Sequence, residues 1–360
     1  MKKQLFVLAA LTAIASGCVH DDFLDTAGQT DLIPIGIHGS INQQPTRATA
    51  EGFVGGDAVG LYAVNYNEDN TVAGTLVADG NQADNVKYVF DESAHKWTPV
   101  RSVYYKDINT HADLYLYYPY QAGISNVNDA NFEVRKDQSV AKTATSLSGY
   151  EASDFLWGKA TDITPSQSAV SIQLSQRLSA VQVTLAQGTG FADGEFEDLD
   201  KNIILTNTTR KASIDFATGT ATPMGDPQAD GIVMCPQNDG SFRAVVIPQS
   251  IEAGNKLLAI TIDGIAYSFK QNEMIKYMTG RQLNFTININ KKSATGQYEL
   301  VLTDTQIVEW TEDLNTHGGE ARQYFVVNVT EPGTLQAQIE SMGKNPAKSK
   351  HPKKCIFRFV

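Results

Sequence analysis

The sequence is poor in the residues from which most enzyme sites are built. It has three cysteines and six histidines in 360 residues, and no two histidines have the spacing of a metal-binding pair. It also lacks a Gly-x-Ser-x-Gly elbow, a His-Glu-x-x-His helix and a phosphate loop that ends in Gly-Lys-Ser/Thr. We therefore expect a protein that is not an enzyme, with no catalytic residues, no cofactor and no metal site.

Positive charge is scarce as well. The formal net charge is −11, and the last part of the chain, residues 344–360, holds six Lys or Arg side chains and no acidic ones. The rest of the chain is therefore more acidic than the total indicates. A surface of that sign repels phosphate backbones, which excludes nucleic acid as an expected partner.

One acidic cluster offers oxygen ligands, which calcium prefers. It consists of Asp193, Glu195, Glu197, Asp198 and Asp200. Because the spacing is not that of a known calcium loop, a solvated loop is the favoured interpretation.

Long apolar runs are absent except at the start of the chain. Lys2 and Lys3 precede the apolar residues 5–15, and Ala15-Ser16-Gly17 then leads to Cys18. This run is shorter than the roughly 20 residues that span a bilayer, and its layout is typical of a secretory signal. Small-Ser-Gly-Cys resembles the lipobox of bacterial lipoproteins, which predicts removal of residues 1–17 and a lipid anchor on Cys18.

Acidic residues follow this cysteine at Asp21, Asp22 and Asp25. They resemble the surface-export signal of Bacteroides-type lipoproteins, and a solvated acidic linker is the equally weighted alternative. The remaining thiols, Cys235 and Cys355, could pair in an oxidising compartment. Two thiols do not make a disulfide framework, and Cys235 is more simply a small buried hydrophobe.

Alternation of apolar and polar residues dominates after residue 50 and predicts many short β-strands. Hairpin turns are indicated at Thr218-Gly219, Asp239-Gly240 and Asp263-Gly264, where positive φ is needed. The alternation changes parity between Leu174 and Val181, so we expect a β-bulge or bend near residues 177–180. Helical patterns are limited to residues 272–280, as a short helix or turn, and 334–342.

These patterns favour an all-β protein of two tandem β-sandwiches. The expected divisions are a signal peptide (1–17), a tether with an early strand (18–50), an N-terminal sandwich (51–165), a C-terminal sandwich (166–315), an extension (316–343) and a basic tail (344–360).

Seven fragments in order resemble the fimbrillin family of Bacteroides-type bacteria. They are Thr46-Arg47-Ala48-Thr49, Gly56 to Ala63, Leu116 to Tyr120, Asp154 to Gly158, Gln173 to Val183, Val245 to Ser250, and Tyr277 to Phe285. Trp310 stands where that family often ends its second domain. A departure is Gln173, where the family often has His.

The resemblance implies two transthyretin-like Greek-key β-sandwich domains and assembly by donor-strand exchange. In that mechanism a protease cuts after an arginine and removes an early strand, and a strand of another subunit fills the groove. Arg47-Ala48 is the matching processing position, and Ile33, Ile35 and Ile37 would lie on the displaced strand. An uncleaved tether is the open alternative.

The expected function is therefore that of a lipid-anchored subunit of a surface fimbria, as stalk, anchor or tip, that contributes to adhesion. Its expected partners are other fimbrial subunits, the outer membrane through Cys18, and host proteins or glycans. The alternative is a surface lipoprotein that binds glycans or proteins without polymerising. Tyr104, Tyr105, Tyr117 and Trp157 would be its candidate binding platform, although strand-face packing is the simpler role for these aromatic residues.

Overall fold

The computed structural model describes residues 32–41, 52–228, 230–270, 273–292 and 297–309, together with the backbone strands at 325–329 and 355–359. The chain forms two compact units, Met1–Thr311 and Glu312–Val360. Within the described ranges of the first unit the regular structure consists of twenty-one β-strands and one short 3-10 helix at Glu151–Ser153, with no α-helix.

The strands of the first half are β1 (Ile37–Ile41), β2 (Ala58–Asn65), β3 (Ala83–Asp91), β4 (Lys96–Pro99), β5 (Ala112–Tyr118), β6 (Ala130–Glu133), β7 (Leu156–Ile163), β8 (Val170–Gln176) and β9 (Ser179–Gln187). Those of the second half are β10 (Lys201–Leu205), β11 (Lys211–Asp215), β12 (Thr220–Met224), β13 (Ile232–Val233), β14 (Cys235–Pro236), β15 (Ser241–Val246), β16 (Ser250–Ile251), β17 (Lys256–Ile262), β18 (Ile265–Lys270), β19 (Ile275–Lys276), β20 (Arg281–Lys291) and β21 (Tyr298–Glu309). The all-β prediction is confirmed.

The largest sheet has seven strands in the order β1-β8-β7-β5-β2-β3-β4. Its central strands are buried on both faces, and every residue of β5 is buried. Leu114 and Leu116 point into one core, whereas Tyr115 and Tyr117 point into the other. A strand with two buried faces needs apolar or aromatic residues at consecutive positions, which explains the run that ends at Pro119.

The core on the Tyr117 side is shared with the three-stranded sheet β12-β11-β6. Phe216, which follows β11, packs edge-on against Tyr117 with ring centroids 4.5 Å apart. Phe132 of β6 lies 5.4 Å from Phe155. These aromatic pairs therefore join the small sheet to the large one.

A second pair of sheets, β14-β15-β9-β20-β21 and β13-β10-β17-β18, encloses the remaining part of the same core. Strand β20 runs parallel to β9 and antiparallel to β21. The predicted hairpin at Asp263-Gly264 is confirmed, since both residues have positive φ, at 48° and 76°, between the antiparallel strands β17 and β18. The predicted hairpin at Thr218-Gly219 joins β11 to β12, and there only Gly219 has positive φ, at 70°.

Two sets of strand pairings join residues before position 165 to residues after it. Strand β8 belongs to the seven-stranded sheet, and the β11–β12 hairpin pairs through β11 with β6. Division of the chain into sandwiches at 51–165 and 166–315 stays a prediction.

Three local predictions are corrected in part. The bend expected near residues 177–180 is confirmed at Leu178, but there is no bulge within one strand, because β8 and β9 are separate strands in different sheets. Of the short helix or turn expected at 272–280, the turn is confirmed at Thr279-Gly280, and the described residues before it contain the short strand β19 rather than a helix. Cys235 is a free thiol that is half-buried rather than fully buried.

The second unit is described only by two parallel strands, β22 (Phe325–Val329) and β23 (Cys355–Phe359), which pair Phe325 with Cys355 and Val329 with Phe359. The possible helix at 334–342 lies outside the described residues. In the parts of the chain that the structure describes, no helix is both long and apolar enough to cross a membrane.

Candidate functional site: the N-terminal segment and its groove

The N-terminal segment, residues 32–41, lies between strand β8 and the stretch 103–105, which follows β4 and is outside any strand. On one side its strand β1 pairs in parallel with β8, from Ile37 opposite Val170 to Ile41 opposite Leu174. On the other side the Ile35 N–H donates to the Val103 carbonyl, and the Tyr105 N–H donates to the Ile33 carbonyl, each at 2.9 Å. The segment is therefore held by backbone hydrogen bonds on both sides.

The inward face of the N-terminal segment is apolar. Ile35 and Ile37 are only 2% and 4% exposed, and Ile33 and Ile41 pack half-buried against the same core. Burial of an isoleucine side chain contributes about 1.5–3 kcal/mol. Ile33, Ile35 and Ile37, which the resemblance places on the displaced strand, thus share one buried face, although β1 itself begins only at Ile37.

Side chains from the groove also bind the backbone of the segment. The Tyr88 hydroxyl donates to the Ile35 carbonyl at 2.7 Å, and the Trp97 indole N–H donates to the Gly39 carbonyl at 3.2 Å. Burial raises the pKa of Tyr88, so its hydroxyl remains a donor at any physiological pH. Both hydrogen bonds lie in the apolar core, where an unpaired carbonyl would be costly.

The segment and the next described stretch of chain lie side by side. A β-carbon placed on Gly52 would be 3.2 Å from Ile41 Cδ1, so the two ends of the ten-residue connection 42–51 are neighbours. Arg47 and Ala48 fall in this connection, and Cys18 precedes the segment; all three lie outside the described residues. A cut at Arg47 would leave the segment attached to the groove by non-covalent contacts alone.

Sequence patterns did not reveal the residues that line the groove. Alternation in β3 and β4 predicts that Tyr88 and Trp97 are inward-facing, but not that they bind a segment about fifty residues earlier. No sequence pattern indicates that Val103 and Tyr105 line the groove, because they contribute backbone atoms from outside any strand. Contacts of this range follow from how the sheet curves, which the local sequence does not encode.

The aromatic platform proposed for a glycan-binding alternative is not present. Tyr105, Tyr117 and Trp157 are buried, and Tyr104 is half-buried. The Trp157 indole donates to the Phe216 carbonyl at 2.8 Å, inside the core. Core packing, the simpler role expected for these aromatic residues, is confirmed for Tyr105, Tyr117 and Trp157.

Two lysines from outside the acidic cluster at 193–200 contact it. Lys291 pairs with Glu195, and Lys201 donates to the Phe196 carbonyl at 2.6 Å. Among the described residues no group of three or more His, Cys, Asp or Glu side chains is placed to hold a metal ion. Asp193, Glu197, Asp198 and Asp200 are exposed, which agrees with a solvated loop.

These features define a class of all-β protein whose seven-stranded sheet is completed by an early segment of its own chain. The chain belongs to the fimbrillin-like family, whose model matches residues 46–310. A relative from Bacteroides uniformis, named "Putative fimbrium subunit Fim1C", is 22% identical over 334 residues, which cover 89% of this chain and 98% of the relative.

Two solved structures with the same fold come from Bacteroides species. One from Bacteroides ovatus, described as a "putative cell adhesion protein", has a TM-score of 0.59 at 16% identity and covers 78% of this chain and 99% of its own. Another of the same description, from Bacteroides uniformis, has a TM-score of 0.55 at 20% identity over 77% of this chain and 99% of its own. At these identities the likeness establishes the fold.

Proposed function

We propose that this chain is a lipid-anchored, surface-exposed subunit of a fimbria that joins its neighbours by donor-strand exchange and contributes to adhesion. The names of its relatives support the fimbrial role, and the family supports a structural rather than an enzymatic protein. Two tandem transthyretin-like Greek-key sandwiches are the domain arrangement that we propose for residues 51–315.

The observation that carries the proposal is the way residues 32–41 complete the first sheet. An extended segment with hydrogen bonds on two margins and apolar side chains in a core has the geometry that strand addition needs. Removal of the segment would expose two rows of backbone groups and the pockets of Ile35 and Ile37. An exposed margin of that kind pairs readily with a strand of another chain.

The position of Arg47 supports the processing step. Residues 18–47 contain both the lipidated cysteine and the segment that fills the groove, so one cut after Arg47 would separate both from the rest of the chain. The lipid would hold the precursor at the outer membrane until its groove is opened. An uncut chain would remain anchored with its groove filled.

The test is limited digestion of the purified chain by a trypsin-like protease in the presence of candidate fimbrial subunits. We expect a new N-terminus at Ala48, loss of the segment, and oligomers that resist mild SDS. An Arg47→Gln variant keeps the length of the side chain but removes the cleavage site, and it should stay monomeric. Strand exchange is contradicted if the cut chain keeps its segment and remains monomeric with every subunit offered.

A further inference from the structure

One position in the groove is too tight for a side chain unless its neighbours move. Inward-facing residues of the N-terminal segment alternate, so Gly39 follows Ile35 and Ile37 on the buried face. A β-carbon at Gly39 would lie 3.0 Å from Leu116 Cδ2 and 3.5 Å from Trp97 Nε1. The first distance is shorter than ordinary van der Waals contact, so a side chain at position 39 would fit only if Leu116 moved by a few tenths of an ångström.

The neighbours of Gly39 are themselves fixed. Leu116 lies in β5 at the centre of the seven-stranded sheet and is fully buried. Trp97 donates its indole N–H to the Gly39 carbonyl and packs between the rings of Phe53 and Phe90, at centroid distances of 5.0 and 5.1 Å. The indole therefore occupies the space into which a side chain at position 39 would extend, and close packing leaves it little freedom to move.

From this geometry, and resting on the strand-exchange function proposed above, we infer a selection rule for the incoming strand. The groove admits an extended segment that carries aliphatic residues at two successive inward positions and glycine at the third. Leu116 and Trp97 are the specificity-determining residues. A larger residue at the third position would have to displace one of them.

The rule excludes one edge strand of this chain as the donor. Strand β21, Tyr298–Glu309, is the long edge strand of the five-stranded sheet, but it contains no glycine. It therefore cannot meet the rule in any register. The partner we infer is a fimbrial subunit whose donor segment has the pattern aliphatic-x-aliphatic-x-Gly.

The test uses the full chain with a specific protease site placed in the 42–51 connection, cut and then exchanged against labelled peptides of residues 32–41. A Gly39→Val peptide is compared with a Ser40→Val peptide, which adds a similar side chain on the opposite, half-buried face. Overpacking costs about 1–3 kcal/mol, so the Gly39→Val peptide should bind about fivefold to 150-fold more weakly than the parent. The Ser40→Val peptide should stay within about threefold.

A Leu116→Ala groove gives the complementary arm. It should bind the Gly39→Val peptide nearly as well as the parent peptide, since the shortest contact is gone. Equal binding of the Gly39→Val and Ser40→Val peptides to the unaltered groove would overturn the rule and leave strand exchange intact. If no peptide exchanges, the parent included, strand exchange fails and the rule falls with it.

The uncut chain provides a second measurement that needs no exchange. Gly39→Val should lower the urea midpoint more than Ser40→Val, and Leu116→Ala should reduce the difference between them. Two equal midpoints would overturn the steric basis of the rule.

Discussion

Tyr88 and Tyr62 show how the same side chain has different consequences on the two faces of one sheet. Both are fully buried, and burial raises the pKa of both. The Tyr88 hydroxyl donates to the Ile35 carbonyl of the N-terminal segment, whereas the Tyr62 hydroxyl has no hydrogen-bond partner among the described residues. Only the first hydroxyl therefore contributes to retention of the segment.

A matched pair of phenylalanine variants tests this difference. Tyr88→Phe should lower the free energy of unfolding by about 1–2 kcal/mol, because it leaves a buried carbonyl unpaired. Tyr62→Phe removes a hydroxyl that forms no bond in the described structure, so it should be neutral or stabilising. Urea denaturation at pH 7 measures both changes, and an equal effect of the two variants would contradict the role assigned to Tyr88.

At the scale of elements, side chains of the connection between β6 and the 3-10 helix, residues 134–150, bind groups next to or within two different sheets. Lys142 forms ion pairs with Asp57, at 3.5 Å, and with Glu151, at 3.3 Å. Burial raises the pKa of Asp57, so the lysine offsets part of the cost of that buried carboxylate. At its other end the connection is attached by Gln138, whose buried amide bonds both the N–H and the carbonyl of Val245 at 2.8 Å.

Gln138 thus satisfies the backbone hydrogen bonds of Val245 in β15, as an additional strand would. A Gln138→Leu variant keeps a similar volume but leaves both backbone groups of Val245 unpaired in the core. The expected loss of unfolding free energy is about 2–4 kcal/mol, from about 1–3 kcal/mol for each buried unpaired group. Gln187→Leu, at the exposed end of β9, is the control and should change stability by less than about 0.5 kcal/mol. Thermal unfolding followed by circular dichroism distinguishes the two, and a Gln138→Leu protein as stable as the control would refute the assignment.

For the whole molecule, the proposed lipid on Cys18 decides where the protein resides. Its net charge of −11 gives no electrostatic attraction to an anionic membrane, so attachment would depend on acyl chains. Each buried methylene contributes about 0.8 kcal/mol, and several chains together anchor a protein firmly.

Loss of the lipid is expected to change how the protein partitions between detergent and water. In cells that process lipoproteins, a Cys18→Ala variant should lose incorporation of labelled palmitate and move from the detergent phase to the aqueous phase of Triton X-114. Cys235→Ala, which alters a free half-buried thiol, should leave both measurements unchanged. Detergent partitioning that persists in the Cys18→Ala protein would exclude lipid on this cysteine as the anchor.

The sequence by itself determined the strand class and the hairpin turn at Asp263-Gly264. Alternation and positive-φ turns are local properties, which explains why the β17–β18 hairpin was predictable. Through the resemblance, it also predicted that Ile33, Ile35 and Ile37 lie on one displaced strand.

Only the tertiary structure decided which strands pair. The parallel pairing of β1 with β8, the pairing of β11 with β6, and the separation of β8 from β9 into different sheets join residues far apart in the chain. The contact that excludes a side chain at Gly39 has the same origin, since Leu116 and Trp97 come from two other strands. Such contacts depend on the curvature and register of whole sheets, and local propensity does not specify them.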